Sequence, residues 1–143
     1  MSEPSDRSVD PDGPDHMQPF GPGARPVLPR HLYVHVPLCH AKCAYCDFYS
    51  LTPGALGLTP AEVVSRLVDQ ARAWTERDAE SMPLETLYVG GGTPSALGEA
   101  LSELVREVLE FFGRAPGAEV TIEANPESFS HALAPALAEA GVT

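Results

Sequence analysis

The pattern of this chain predicts an α/β fold of about three βα units, laid out as the amino-terminal part of a (β/α) barrel. Three observations carry that expectation. Short β-branched and aromatic runs recur at Leu32–Val36, Leu84–Val89 and Glu119–Ala124. Each run closes on a loop rich in Cys, Gly or Pro, and each loop leads toward a segment whose apolar residues repeat at helical spacing. Strand, loop and helix in that order form the unit of a parallel sheet, and such sheets gather ligands at the carboxyl ends of their strands.

Residues 1–29 precede the first unit. They hold seven of the fifteen prolines, with Asp and Gly and few aliphatic side chains. A segment of this composition buries too little apolar surface to offset its ordering entropy, and it is expected to be a disordered tail. The folded part is expected to span residues 30–143.

The first strand is Leu32-Tyr33-Val34-His35-Val36, closed by Pro37. His35 alternates with Val34 and Val36, so it points to the opposite face. A Pro/Gly-rich connection covers 52–58. The first helix starts at Thr59 as N-cap, with Pro60 at the first position and Glu62 at the third. Its apolar stripe is Val63, Leu67, Ala71 and Trp74, widened by Val64 and Val68, and it ends before Pro83. The second strand runs into Gly90-Gly91-Gly92-Thr93-Pro94. Ser95 is placed to cap the next helix, whose stripe runs from Leu97 through Leu101, Leu104, Val105, Val108 and Leu109 to Phe112 before Gly113 stops it. Asn125-Pro126 breaks the third strand, and a third helix is expected from Ser130 or His131 to Ala140. An open three-stranded parallel sheet leaves an unpaired edge, which leads to the expectation of a piece of a larger barrel.

The formal net charge of −11 excludes nucleic acid and anionic lipid as main partners. No apolar run approaches the length of a membrane span, and no apolar signal segment opens the chain, so a cytoplasmic location is expected.

The chemistry concentrates in the three cysteines, Cys39, Cys43 and Cys46. Thiolates at +4 and +3 spacing can converge on one metal centre from one loop. A four-iron cluster normally takes four cysteines, so three leave one iron open. The same thiols would also serve zinc, with His40 or His35 as fourth ligand, and Cys39 with Cys43 would serve a disulfide. Taken alone, the triple glycine reads as a tight turn, Glu123 as a solvated strand end, and Tyr33 and Tyr45 as ordinary aromatics.

Taken together and in order, these motifs resemble the radical S-adenosylmethionine (radical SAM) superfamily. Its signature is a C-x-x-x-C-x-aromatic-C loop after the first strand, here Cys39, Cys43, Tyr45 and Cys46. Gly90-Gly91-Gly92-Thr93-Pro94 resembles the family's methionine-binding element. Ile122-Glu123-Ala124-Asn125-Pro126 resembles its acidic ribose-contacting segment. The resemblance implies a partial TIM barrel holding a [4Fe–4S] cluster and S-adenosylmethionine. It places the cofactor's methionine end at Gly91, Gly92 and Thr93, its carboxylate at Tyr33, its adenine at Tyr45 and its ribose at Glu123. One electron from the reduced cluster would then break a carbon–sulfur bond of the sulfonium, giving methionine and a 5′-deoxyadenosyl radical.

Within the superfamily the chain is most similar to the coproporphyrinogen III oxidase-like branch. Phe48 stands where the oxygen-independent oxidases carry a further cysteine. Cys46-Asp47-Phe48 resembles instead the HemW-type heme chaperones. That likeness implies heme or a porphyrin as ligand, an electron donor, and a protein that accepts heme. Oxidative decarboxylation of coproporphyrinogen III is the rival expectation, and an inactive truncated product the third.

Overall fold

In a computed structural model the described residues are 30–75 and 82–143; the expected tail lies outside them, as does the side chain of Trp74. Three parallel strands, β1 (His31–Val36), β2 (Leu84–Gly91) and β3 (Arg114–Ile122), form one sheet in the order β1-β2-β3. Register aligns Leu32 with Leu87 and Val34 with Val89, and on the other side Leu87 with Val120 and Val89 with Ile122. The helices are α1 (Pro53–Leu56), α2 (Pro60–Thr75), α3 (Ala100–Phe112) and α4 (Leu133–Ala140). The expected α/β architecture of three βα units is therefore present.

Strand alternation decides which face is covered. Val34, Val36, Leu87, Val89 and Val120 point to one side and are buried. There they meet Val63, Val64 and Val68 of α2, Leu101, Leu104, Val105, Val108 and Phe112 of α3, and Leu133 and Leu137 of α4. Helix α3 lies between α2 and α4. Removing a leucine such as Leu101 or Leu104 from water is worth about 1.5–3 kcal/mol, and both are fully buried. The opposite face carries Tyr33, His35, Thr86, Tyr88, Glu119 and Thr121, none of them buried. A parallel sheet with one such polar face is what the alternation in the sequence dictates.

Helix α2 opens on a reciprocal capping box. The Thr59 amide and hydroxyl both donate to Glu62 Oε2 at 2.8 Å, and the Glu62 amide donates back to Thr59 Oγ1 at 3.3 Å. These bonds, backbone first, hold the Glu62 carboxyl below its ordinary value.

Four local expectations are corrected. The connection at 52–58 contains a helical turn, α1, begun by Pro53 and closed by Gly57. Ser95 does not cap α3. It lies in a 3₁₀ turn, Pro94–Leu97, that precedes the helix, and Leu97 is buried from that turn. Strand β3 begins at Arg114 rather than Glu119, because a register shift opposite Leu84–Thr86 lets the segment containing Pro116 and Gly117 bulge without ending the ladder. Helix α4 begins at Leu133; Ser130 sits before it, its hydroxyl accepting the Leu133 amide at 3.2 Å. After α4 the chain returns to the sheet, where the Thr143 amide donates to Val120 O on the outer edge of β3 at 3.1 Å.

Candidate metal and cofactor site

The cysteine loop is built from the end of β1. Past Pro37 the backbone pairs Leu38 with Leu51 in a single parallel bridge. The Leu51 amide donates to Pro37 O at 2.9 Å and the Cys39 amide to Leu51 O at 3.0 Å, so the segment between them is closed at a neck. Strand β2 grips the other side: Gly92 N–H donates to Val36 O at 2.9 Å and Thr93 N–H to Leu38 O at 2.7 Å. Cys39 is thereby fixed and buried, with Sγ 3.5 Å from Thr93 Oγ1. Cys43 is exposed and Cys46 intermediate; the Cys46 amide donates to Cys43 O at 3.1 Å. The Lys42 ammonium folds back onto the Phe48 carbonyl and, at 3.4 Å, onto Ser50 Oγ.

The glycines explain how strand end and loop come so close. A Cβ on Gly92 would stand 2.6 Å from Leu38 O and 2.8 Å from Cys39 Sγ. One on Gly91, whose φ is +119°, would stand 2.8 Å from Val36 O and 2.9 Å from the His35 ring. The triple glycine therefore seats β2 against β1 and the first cysteine.

The third element arrives from β3. Glu123 continues the ladder by one bond, its amide donating to Val89 O at 2.9 Å. Its carboxylate accepts the Tyr88 hydroxyl at 2.8 Å and the Gly91 amide at 3.1 Å. Ser95, almost fully buried, ties the second loop to the third: its Oγ accepts the Asn125 amide at 2.9 Å and pairs with Ser128 Oγ at 2.6 Å.

These loops enclose an open cleft of about 550 Å³ at the carboxyl ends of the strands. Cys39, Cys43, Tyr45, Cys46, Gly92, Thr93 and Glu123 all line it. Tyr33 and Gly91 do not. Gly91 is buried beneath Glu123, and Tyr33 stands on the open face of the sheet, its ring 6.0 Å from that of Tyr88. Tyr45 is 90% exposed, and its contact with Cys43 raises its phenol above the ordinary value. Lys42 and Glu127 also line the cleft and are not among the residues singled out in the sequence. The only advance signal for them was adjacency to the cysteine and E-A-N-P motifs.

The donor set fits an iron–sulfur centre. All three cysteines are free thiols on one loop facing one cleft. The zinc alternative loses His35 as fourth ligand: its Nε2 donates to Tyr49 O at 2.8 Å, so Nδ1 accepts the Tyr33 hydroxyl at 3.1 Å and neither nitrogen is spare. Among the described residues no three His, Cys, Asp or Glu side chains are already drawn together to metal-binding distance.

Comparison with known proteins bears on the family. The model of the radical SAM superfamily matches residues 33–143. The heme chaperone HemW of Mycobacterium tuberculosis is 45% identical over 112 residues, covering 75% of this chain and 28% of that protein. HemW of Escherichia coli is 38% identical over 103 residues, covering 68% and 26%. Among solved structures, coproporphyrinogen III oxidase (HemN) from Escherichia coli, a radical SAM enzyme, superposes with a TM-score of 0.66 at 27% identity, over 82% of this chain and 26% of that one. The chain thus spans about a quarter of the length of these relatives. No helix among the described residues is long and apolar enough to cross a membrane. The matched span, the three-strand parallel fold and the order of its loops show that this chain belongs to the radical SAM superfamily.

Proposed function

We propose that this chain supplies the cluster- and cofactor-binding end of a heme-handling protein of the HemW type. One observation carries the reading: three cysteines, a glycine-rich strand end and a carboxylate, from three different βα loops, line one cleft. Cys39, Cys43 and Cys46 would hold a [4Fe–4S] cluster as thiolates, three protein ligands where such a cluster normally takes four, and S-adenosylmethionine would bind beside it. When bound and reduced, such a cluster supplies one electron to cleave a carbon–sulfur bond of the sulfonium.

The protein's own part is placement. Cys39 is the fixed ligand, held by the neck and by Thr93, while Cys43 is exposed and Cys46 half-buried on the same loop. The Gly92 and Thr93 backbone flanks the methionine end. Glu123 accepts hydrogen bonds from the ribose hydroxyls, each of its oxygens keeping a lone pair beyond the bond it already accepts. Tyr45, exposed on the rim, packs on the adenine. Tyr33 reaches the carboxylate end from the sheet face.

Heme handling rests on the similarity to the HemW proteins and on Phe48, exposed on the returning arm of the loop where the oxidase branch carries a further cysteine. In this reading an electron donor and a heme-accepting protein are the partners, in the cytoplasm. The fold neighbour HemN favours the second reading, porphyrinogen oxidation.

Anaerobic reconstitution with iron and sulfide tests the proposal. About four irons per chain, and an electron paramagnetic resonance spectrum that shifts on adding S-adenosylmethionine, are expected; retained zinc with no cluster would overturn it. Hemin titration of the loaded protein then separates the readings. A Soret band from stoichiometric heme supports the chaperone, and protoporphyrinogen formed by the full-length protein supports the oxidase.

A further inference from the structure

We infer that Tyr88 is a positioning residue for Glu123, holding that carboxylate in the orientation in which it meets the ribose diol of a nucleoside cofactor. The inference deepens the proposed function and rests on it for the identity of the ligand.

Tyr88 lies on the open face of β2, one strand away from Glu123 and outside the cleft. Its hydroxyl donates to Glu123 Oε1 at 2.8 Å, while the Gly91 amide donates to Oε2 at 3.1 Å. The carboxylate is thus held at both oxygens, by donors from a single strand. A lone strand-end glutamate with three rotatable bonds would otherwise lose its rotamer freedom when the ligand arrives.

Two neighbours show that the pair is built in. Gly90 sits beneath it: a Cβ there would be 2.8 Å from the Tyr88 ring and 3.1 Å from the Glu123 carboxyl. The first glycine of the triplet is therefore the space in which tyrosine and glutamate meet. On the other side the Tyr33 ring packs at 6.0 Å, tilted by 30°, and backs the Tyr88 ring. The hydrogen bond to Glu123, then burial, then the Glu123 charge raise the Tyr88 phenol above its ordinary value, so it remains a donor. Tyr88 touches no ligand in this arrangement and acts only through the carboxylate.

The test has two arms. In the first, tyrosinate absorption is followed with pH in the full chain and in Y88F and E123Q. One raised tyrosine should vanish from the titration in Y88F, and that same one should move down toward the ordinary phenol value in E123Q. A titration unchanged by E123Q would overturn the inference whether or not the chain binds a cofactor. In the second, S-adenosylmethionine affinity is measured on the reconstituted protein for Y88F, E123Q and the double variant. Y88F should weaken binding by about tenfold, as for a lost bond to a charged group, and should add nothing on top of E123Q. Equal effects of Y88F with and without Glu123 would overturn positioning. Absence of binding by the unsubstituted protein would instead sink the cofactor reading and leave the decision to the first arm.

Discussion

Replacing Gly92 by alanine should damage fold and metal site together, and the size of the effect can be worked from contacts. The new Cβ would lie 2.6 Å from Leu38 O, where ordinary contact begins near 3.4 Å, so strand or loop must give by about 0.8 Å. Neither neighbour yields cheaply. Leu38 O already accepts the Thr93 amide at 2.7 Å, and the second obstacle, Cys39 Sγ at 2.8 Å, belongs to a residue pinned by the neck. Overpacking of this kind costs about 1–3 kcal/mol, and a backbone carbonyl as the nearest obstacle places it in the upper half of that range. With a urea slope of about 1–3 kcal/mol per molar, the unfolding midpoint should fall by about 0.7 M or more. Gly54→Ala is the control. It lies in α1 with nothing within 4 Å of its Cβ, so it should leave stability equal or raise it by about 0.4–1 kcal/mol. Urea unfolding followed by circular dichroism reads both, and iron content after reconstitution should fall in G92A alone. A G92A midpoint within about 0.2 M of the parent would refute the argument that this glycine exists to admit the cysteine loop.

Acid should weaken the chain partly through α2. Because Thr59 holds the Glu62 carboxyl below its ordinary value of 4.5, that contribution is complete above this pH and is lost as pH falls through the lower folded value. Urea midpoints of the parent and E62A should therefore differ more at pH 7 than at low pH; equal midpoints at neutral pH would contradict the capping box. The cysteines should separate by burial. C43S, at an exposed position, should abolish four-iron loading while leaving the unloaded chain's melting temperature unchanged, whereas C39S, at the buried position, should lower both.

Much of this was readable from local pattern. Alternation in Leu32–Val36 and Leu84–Val89 marks the strands because a period of two is local, and Thr59-Pro60 followed by Glu62 marks a helix start for the same reason. The positions of the cysteines, glycines and Glu123 after successive strands follow once the units are parallel. What escaped depended on distance along the chain. Ser95 looks like a helix cap, yet its hydroxyl serves Asn125, thirty residues on. Tyr88 looks like an ordinary strand aromatic, yet its partner is Glu123, thirty-five residues away. Pro116 and Gly117 signal a break, and only the register against β2 shows that the ladder survives as a bulge. The missing Cβ at Gly91 and Gly92 also seats the neighbouring strand and the cysteine loop, contacts that local pattern does not show.

The neck at Leu38 and Leu51 has a consequence for metal chemistry. In an unfolded chain, bringing together the ends of a segment of this length costs about 2 kcal/mol of loop entropy, apart from a constant term. Here two backbone bonds and the sheet they extend have closed the ring before any iron arrives. Each thiol therefore meets the others at an effective concentration set by a small closed ring rather than by a wandering chain. A peptide with the same eight residues from Cys39 to Cys46 would present identical ligands and a weaker chelate. Selectivity for a cluster over a stray ion would then be a property of the strand ends that tie the ring, as much as of the sulfurs within it.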